Sequence, residues 1–164
     1  MSNGQMSHHL SDSPDPRFGE PAVPEPQPRP RRGAILVVED RDDVRQGLSQ
    51  LLELHGYLVA DACNGEEGRR QLAADPDAFA LILLDLMLPG EISGPDLRTF
   101  QLGDPVLAII PTIVVTASEL DARERARLRP DALIEKPFRF DDLLGLVKRY
   151  VVSERGPMAG GIIS

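Results

Sequence analysis

Apolar runs alternate with segments of helical period along most of the chain. Strands are predicted from apolar runs at residues 34–38, 57–63, 80–84, 112–115 and 132–134. Apolar residues that recur at helical spacing predict helices at residues 42–55, 64–74, 95–102, 120–128 and 140–151. This alternation predicts an α/β domain in which a five-stranded parallel sheet is covered by five helices on its two faces.

The two terminal segments lack this pattern. Seven prolines lie between Pro14 and Pro30, among charged and small polar residues that cannot form an apolar core. We therefore expect residues 1–32 to be a disordered proline-rich tail. The glycine-containing segment 153–164 is expected to be a flexible C-terminal tail, which leaves 33–152 as the folded domain.

Charge and cysteine content narrow the function classes. The chain has 26 acidic and 18 basic residues and a formal net charge of -8, which argues against nucleic acid as the main partner. The single cysteine, Cys63, excludes an internal disulfide and suits a reducing compartment, so we expect a cytoplasmic location. The longest apolar stretch, 106–115, contains Pro111 and is too short to cross a bilayer, so no membrane is expected as a partner.

Polar and charged residues follow four of the predicted strands. Glu39 and Asp40 come after the first, Asp85 after the third, Thr116 after the fourth and Lys136 after the fifth. Each alone has an ordinary structural explanation, such as a helix cap or a turn residue. Because the carboxyl ends of parallel strands meet at one edge, the three carboxylates would lie together there and require a counter-charge. An all-oxygen donor set suits Mg²⁺.

This combination predicts phosphoryl chemistry. A carboxylate beside Mg²⁺ can attack an activated phosphoryl group, which makes Asp85 the candidate phosphoacceptor. Lys136 would bind one phosphoryl oxygen and the Thr116 hydroxyl would donate a hydrogen bond to another. The residues therefore predict a phosphorylation switch.

Four segments carry a resemblance to a known family, in matching order and approximate spacing: VVED at 37–40, LILLDLMLPG at 81–90, VVTA at 114–117 and EKPF at 135–138. Over residues 33–152 the chain resembles the response regulator receiver domains of two-component signalling. The resemblance implies a doubly wound, flavodoxin-like receiver fold. It also implies that a histidine kinase or a histidine phosphotransfer domain phosphorylates Asp85.

The resemblance further implies a ligand set for Mg²⁺. Asp40, Asp85 and the backbone carbonyl of Met87 would bind the ion, and Glu39 would act mainly through metal-bound water. A cis peptide bond between Lys136 and Pro137 is implied as well.

The resemblance implies a signalling protein whose only chemistry is self-catalysed phosphotransfer and dephosphorylation. No DNA-binding or catalytic pattern follows residue 152, so we expect output through contact with an unidentified downstream protein. A monomer or weak dimer is expected.

Three departures from the family pattern affect these expectations. The loop from Asp85 to Gly94 is one residue longer than usual, and the segment 116–136 is about two residues shorter, which predicts a truncated fourth helix. Leu133 occupies the position where the family usually has Tyr or Phe.

Three other classes of protein can be compared with the same residues. A Mg²⁺-dependent phosphatase of the haloacid dehalogenase type would need an acid two residues after the nucleophile, where Met87 stands. A flavin or nucleotide module would need a phosphate-binding loop in place of the acidic segment 39–43. A receiver-like interaction module that phosphorylation does not switch stays open, because of Leu133 and the short fourth helix.

Overall fold

The computed structural model describes residues 30–153, and the rest of both predicted tails lies outside the described residues. One sheet contains five parallel strands: β1 (Ala34–Val38), β2 (Val59–Ala62), β3 (Phe79–Asp85), β4 (Thr112–Thr116) and β5 (Ala132–Glu135). The helices are α1 (Asp42–Leu54), α2 (Gly65–Ala74), α3 (Gly94–Gly103), α4 (Ala122–Leu128) and α5 (Phe140–Tyr150). The predicted α/β class and its five strands and five helices are confirmed.

The strand order β2-β1-β3-β4-β5 makes the sheet doubly wound. From β1 the chain moves to one edge, at β2, and then returns past β1 to build β3, β4 and β5 on the other side. The connections therefore diverge between β1 and β3, and a crevice at the carboxyl end of those two strands is the usual ligand site of such a sheet.

The central strand β3 shows why the strands of this sheet appear in the sequence as continuous apolar runs. All seven of its residues are buried. Leu81 and Leu83 contact the apolar layer formed with α1 and α5, whereas Ile82 and Leu84 contact the layer formed with α2 and α3. Because successive side chains in a strand point to opposite faces, a strand covered on both sides is apolar at successive positions, here at the six residues that precede Asp85.

Capping interactions begin three of the helices. The Asn64 side chain accepts a hydrogen bond from the backbone N–H of Glu67, as its sequence context predicts. Ser93 and Asp121 each form a capping box with the acidic residue three positions later. The helix that Asp121 caps, α4, has only seven residues, so the fourth helix is short, as predicted.

Strand β2 is shorter than the predicted 57–63. The Tyr57 N–H donates to the Leu52 carbonyl in the turn that ends α1, so this buried residue precedes the ladder. Sheet pairing starts at the Leu58 carbonyl, which accepts from the Ile35 N–H. Tyr57 is an apolar aromatic residue buried in the core, and a buried strand residue gives the same pattern in the sequence. The predicted strand therefore extended too far toward α1.

Residue 31, inside the predicted N-terminal tail, pairs with the end of the domain. The Arg31 N–H donates to the Tyr150 carbonyl at 2.6 Å, and the Val152 N–H donates to the Arg31 carbonyl at 2.9 Å. The segment that enters β1 is therefore held beside the end of α5.

Arg98 of α3 ties together the opposite side of the domain. Its side chain is buried, and Nε donates to the Leu128 carbonyl while Nη2 donates to the Arg129 carbonyl at the end of α4. Its Nη1 donates to the side chains of Gln101 and Thr112. Arg98 therefore satisfies carbonyl groups that the end of a helix leaves without intrahelical donors.

Candidate functional site

The site lies where β1 and β3 end side by side. Val38 pairs with Leu84 in the register of these strands, so Glu39 and Asp85 come next on adjacent strands. Both side chains are buried, with residue exposures of 3% and 4%. Two carboxylates are thus brought together inside the protein, where a charge is costly unless it is paired.

Lys136 reaches this pair from the end of β5. Its Nζ donates to Asp85 Oδ2 at 2.7 Å and to Glu39 Oε2 at 3.0 Å. The peptide bond between Lys136 and Pro137 is cis, as the family resemblance implies. The ammonium therefore bridges carboxylates that are 97 and 51 positions away in the sequence.

Asp40 completes the acidic group. Carboxylate oxygens of Glu39, Asp40 and Asp85 lie within 4.8 Å of one another, and Asp40 is the most exposed of the three. Three carboxylates face the single ammonium of Lys136, so the site retains surplus negative charge. These clustered oxygen donors, with Asp40 exposed to solvent, fit a hard divalent cation such as Mg²⁺.

Burial and the neighbouring charges change the protonation behaviour of the site. Burial raises the pKa of Glu39 to about 6, aided by its interaction with Asp85 and opposed by hydrogen bonds from Lys136 and the Arg41 N–H. Burial alone would lower the pKa of Lys136, but its hydrogen bonds to Asp85 and Glu39 outweigh burial and raise it. The lysine is therefore held in its charged form.

Met87 and Thr116 are placed at the same edge in different ways. The Met87 N–H donates to Asp85 Oδ1 at 2.8 Å, which orients the carboxylate, and the Met87 side chain is 74% exposed. The buried Thr116 hydroxyl instead donates to the Ser118 carbonyl at 2.8 Å. Its backbone carbonyl accepts from the Lys136 N–H, so β4 and β5 are joined next to the site.

Two residues beside the site were missed by the sequence reasoning. Arg45 of α1 donates to the Glu39 carbonyl at 3.0 Å and also pairs with Asp42. Glu66 of α2 accepts backbone hydrogen bonds from the loop that follows Asp85. Both positions read as solvated charges on a helix, because nothing in a single sequence indicates which distant backbone group a side chain will contact.

Comparisons with known proteins identify the class that this fold and site define. The family model of the response regulator receiver domain matches residues 35–148. The chain therefore belongs to the response regulator receiver domain family, which is a family of two-component signalling domains and not of classical enzymes.

Individual relatives support the assignment. The chain is 34% identical over 120 residues to the uncharacterized transcriptional regulatory protein YkoG of Bacillus subtilis, covering 71% of this chain and 50% of that protein. It is 31% identical over 121 residues to the response regulator receiver protein CpdR of Brucella abortus, covering 73% of this chain and 97% of that protein. The match thus spans about half of one relative and nearly all of the other.

A solved structure shares the fold and more than a quarter of the aligned residues. The response regulator TrrA of Thermotoga maritima, in complex with Mg²⁺ and BeF, superimposes with a TM-score of 0.63 and 29% identity, covering 71% of this chain and 97% of that one.

Within residues 30–153, none of the helices combines the length and the apolar character needed to cross a bilayer.

Proposed function

We propose that this protein is a phosphorylation switch that accepts a phosphoryl group on Asp85 from a histidine kinase or a histidine phosphotransfer domain. The carrying observation is the placement of Lys136 Nζ at 2.7 Å from Asp85 and 3.0 Å from Glu39, within an all-oxygen acidic group. Output would pass to a downstream protein in the cytoplasm.

Magnesium is the proposed cofactor. Asp40, Asp85 and the Met87 carbonyl would hold it, with Glu39 acting through metal-bound water. The ion would supply positive charge that offsets repulsion between the Asp85 carboxylate and an anionic phosphoryl donor. The complex of the related TrrA with Mg²⁺ and BeF supports this choice.

The protein's own groups orient and stabilise the transfer. The Met87 N–H fixes Asp85 Oδ1, and the other carboxylate oxygen is held by Lys136. A carboxylate oxygen attacks phosphorus as the bond from phosphorus to the donor imidazole nitrogen breaks, and that nitrogen keeps the electron pair. Lys136 then moves its ammonium to a phosphoryl oxygen, and later hydrolysis regenerates Asp85.

Phosphorylation of Asp85→Asn tests the proposal most directly. Incubation with acetyl phosphate and Mg²⁺ should add one phosphoryl group to the wild type at Asp85, detected by intact mass and peptide mapping. Asp85→Asn keeps the shape of the side chain and should remain unmodified, whereas the exposed control Asp77→Asn should behave as the wild type. Modification of Asp85→Asn at the wild-type rate would reject the assignment.

Thr116 is the proposed route by which the signal leaves the site. To bond a phosphoryl oxygen, its hydroxyl must give up the Ser118 carbonyl. Because the Ser118 N–H donates to the same hydroxyl oxygen, the segment 117–121 and the start of α4 would move with it toward Asp85. Leu133 packs with Leu86, Leu120 and Leu128 beneath that segment, so an apolar side chain would adjust in place of an aromatic ring.

The variant Thr116→Ala should separate phosphorylation of Asp85 from the conformational response of residues 117–133. Asp85 should still be modified, but the amides of residues 117–133 should no longer shift in NMR spectra as they do in the wild type. Absence of these shifts from the wild type itself would favour the alternative, a receiver-like interaction module that phosphorylation does not switch.

A further inference from the structure

The loop between β3 and α3, residues 86–93, carries the proposed magnesium ligand Met87. Its first part is anchored at two points, because the Met87 N–H donates to Asp85 and the Leu88 side chain packs in the apolar layer of α2 and α3. Pro89 and Gly90, which follow, are exposed. Among the described residues no hydrogen bond is donated to the Met87 carbonyl itself, so its direction depends on the path of the loop beyond Leu88 and on what holds the far end.

Glu66 in the first turn of α2 holds that end. Its Oε1 accepts from the Glu91 N–H at 2.7 Å and from the Ile92 N–H at 3.0 Å. Hydrogen bonds from its own N–H, and then from those of Ile92 and Glu91, lower the pKa of the Glu66 carboxyl. The carboxylate is therefore ionised and bound to the loop at neutral pH.

The two backbones are also shaped for close approach. Gly90 has a φ of +101°, and a Cβ atom there would lie 2.9 Å from Glu66 Oε1. A Cβ atom on Gly65 would collide with the Ile92 carbonyl oxygen. Glycine at both positions lets α2 and the loop meet without a side chain between them.

We propose that Glu66 is a positioning residue that holds the β3–α3 loop in the shape in which the Met87 carbonyl can bind Mg²⁺, and so sets the magnesium affinity of the site. This inference rests on the proposed function. The loop of residues 86–93 connects β3 to α3, and each loop residue that lacks an anchoring contact adds conformational freedom that metal binding must remove. A contact that removes this freedom in advance raises affinity.

The test compares Glu66→Ala and Glu66→Gln with the control variants Glu67→Ala and Glu67→Gln. Glu67 lies in the same helical turn and carries the same charge, but its carboxylate accepts from the Cys63 N–H and not from the loop. The pair therefore separates loop anchoring from the loss of one negative charge. Titration calorimetry with Mg²⁺ alone gives the affinity, and amide hydrogen exchange reports on residues 91 and 92.

Glu66→Ala should weaken Mg²⁺ binding about tenfold, a size typical of residues that orient metal ligands from outside the ligand shell. Amides 91 and 92 should exchange faster in this variant. Glu66→Gln keeps an oxygen that accepts both hydrogen bonds, so its affinity should stay within about twofold of wild type. Both Glu67 variants should match Glu66→Gln.

Three outcomes would overturn the inference. Equal losses of affinity in all four variants would reduce the effect to net charge, and an unchanged affinity in Glu66→Ala would remove it. Unchanged exchange at 91 and 92 would show that Glu66 does not hold the loop. If the wild type itself bound no Mg²⁺, the proposed function would fall together with the inference, and this result is distinct from the other three.

Discussion

Lys136 and Arg98 are cations that connect distant parts of the chain at two regions of the domain. Lys136 lies at the carboxyl edge and bonds two buried carboxylates. Arg98 contacts Thr112 at the start of β4. Its hydrogen-bond partners are neutral carbonyl, amide and hydroxyl groups, and its Nη2 also lies 3.6 Å from the carboxylate oxygen Oδ2 of Asp131. Only the first region therefore combines a cation with excess negative charge.

The pKa directions express the same difference. Burial lowers the pKa of Arg98, since the nearby charge of Asp131 does not offset it. For Lys136 the carboxylates outweigh burial, and its pKa is raised. The Arg98 network, in which one cation meets neutral groups and one carboxylate, stabilises the fold, whereas carboxylates in excess of their cation are typical of a binding or reaction site.

The largest expected effect comes from removing each cation in turn. Arg98→Met leaves the carbonyls of Leu128 and Arg129 without this donor, and should lower the free energy of unfolding by about 3 kcal/mol. Lys136→Met should also destabilise the metal-free protein, because Glu39 and Asp85 lose their counter-charge. Denaturant unfolding with and without Mg²⁺ measures both.

Added Mg²⁺ should distinguish the loss of stability in Lys136→Met from the loss in Arg98→Met. By the proposed function Mg²⁺ should bind the folded acidic group. It should recover part of the stability lost in Lys136→Met, but add no more to Arg98→Met than to the wild type. An equal response of both variants to Mg²⁺ would remove the distinction between the two regions.

A pH titration should reveal the cost of burying the Glu39 carboxylate beside Asp85. The pKa of Glu39 is about 6 in the folded protein against an ordinary value of 4.5. The folded state therefore holds this proton more tightly, and stability should decline as pH rises from 4.5 through 6, by about 2 kcal/mol. Glu39→Gln should lack this component in metal-free denaturant unfolding. Parallel curves for the two proteins would contradict the raised pKa.

A smaller effect on Mg²⁺ affinity is expected from removing Asp40, the most exposed of the three carboxylates of the site. Asp40→Ala should weaken Mg²⁺ binding about tenfold, or about 1.4 kcal/mol, in titration calorimetry. Stability without metal should stay equal or rise, because repulsion between carboxylates is relieved. Asp43→Ala, which removes an exposed acid paired with Arg41, serves as the control. Equal Mg²⁺ affinities in both variants would exclude Asp40 as a ligand.

The sequence could predict the fold because its signals are local. The apolar run of β3 follows from its burial between two layers of helices, and the helical spacing of apolar residues in α5 follows from burial of one of its faces against the sheet. Because parallel strands end together, the polar residues that follow four of the strands are then expected at the carboxyl edge of the sheet. The predicted strand at 57–63 was too long, since burial of Tyr57 outside the ladder leaves the same signal.

What the sequence by itself determined was the class of fold, the edge at which Asp85 lies and the oxygen chemistry of its neighbours. Only the tertiary structure decided which groups touch. Lys136 contacts Glu39 across 97 positions, Glu66 reaches the Ile92 N–H across 26, and the Thr116 hydroxyl turns to Ser118 and not to Asp85. Such contacts depend on how helices and loops pack on the sheet, and the periodicity of one segment carries no information about its distance from another.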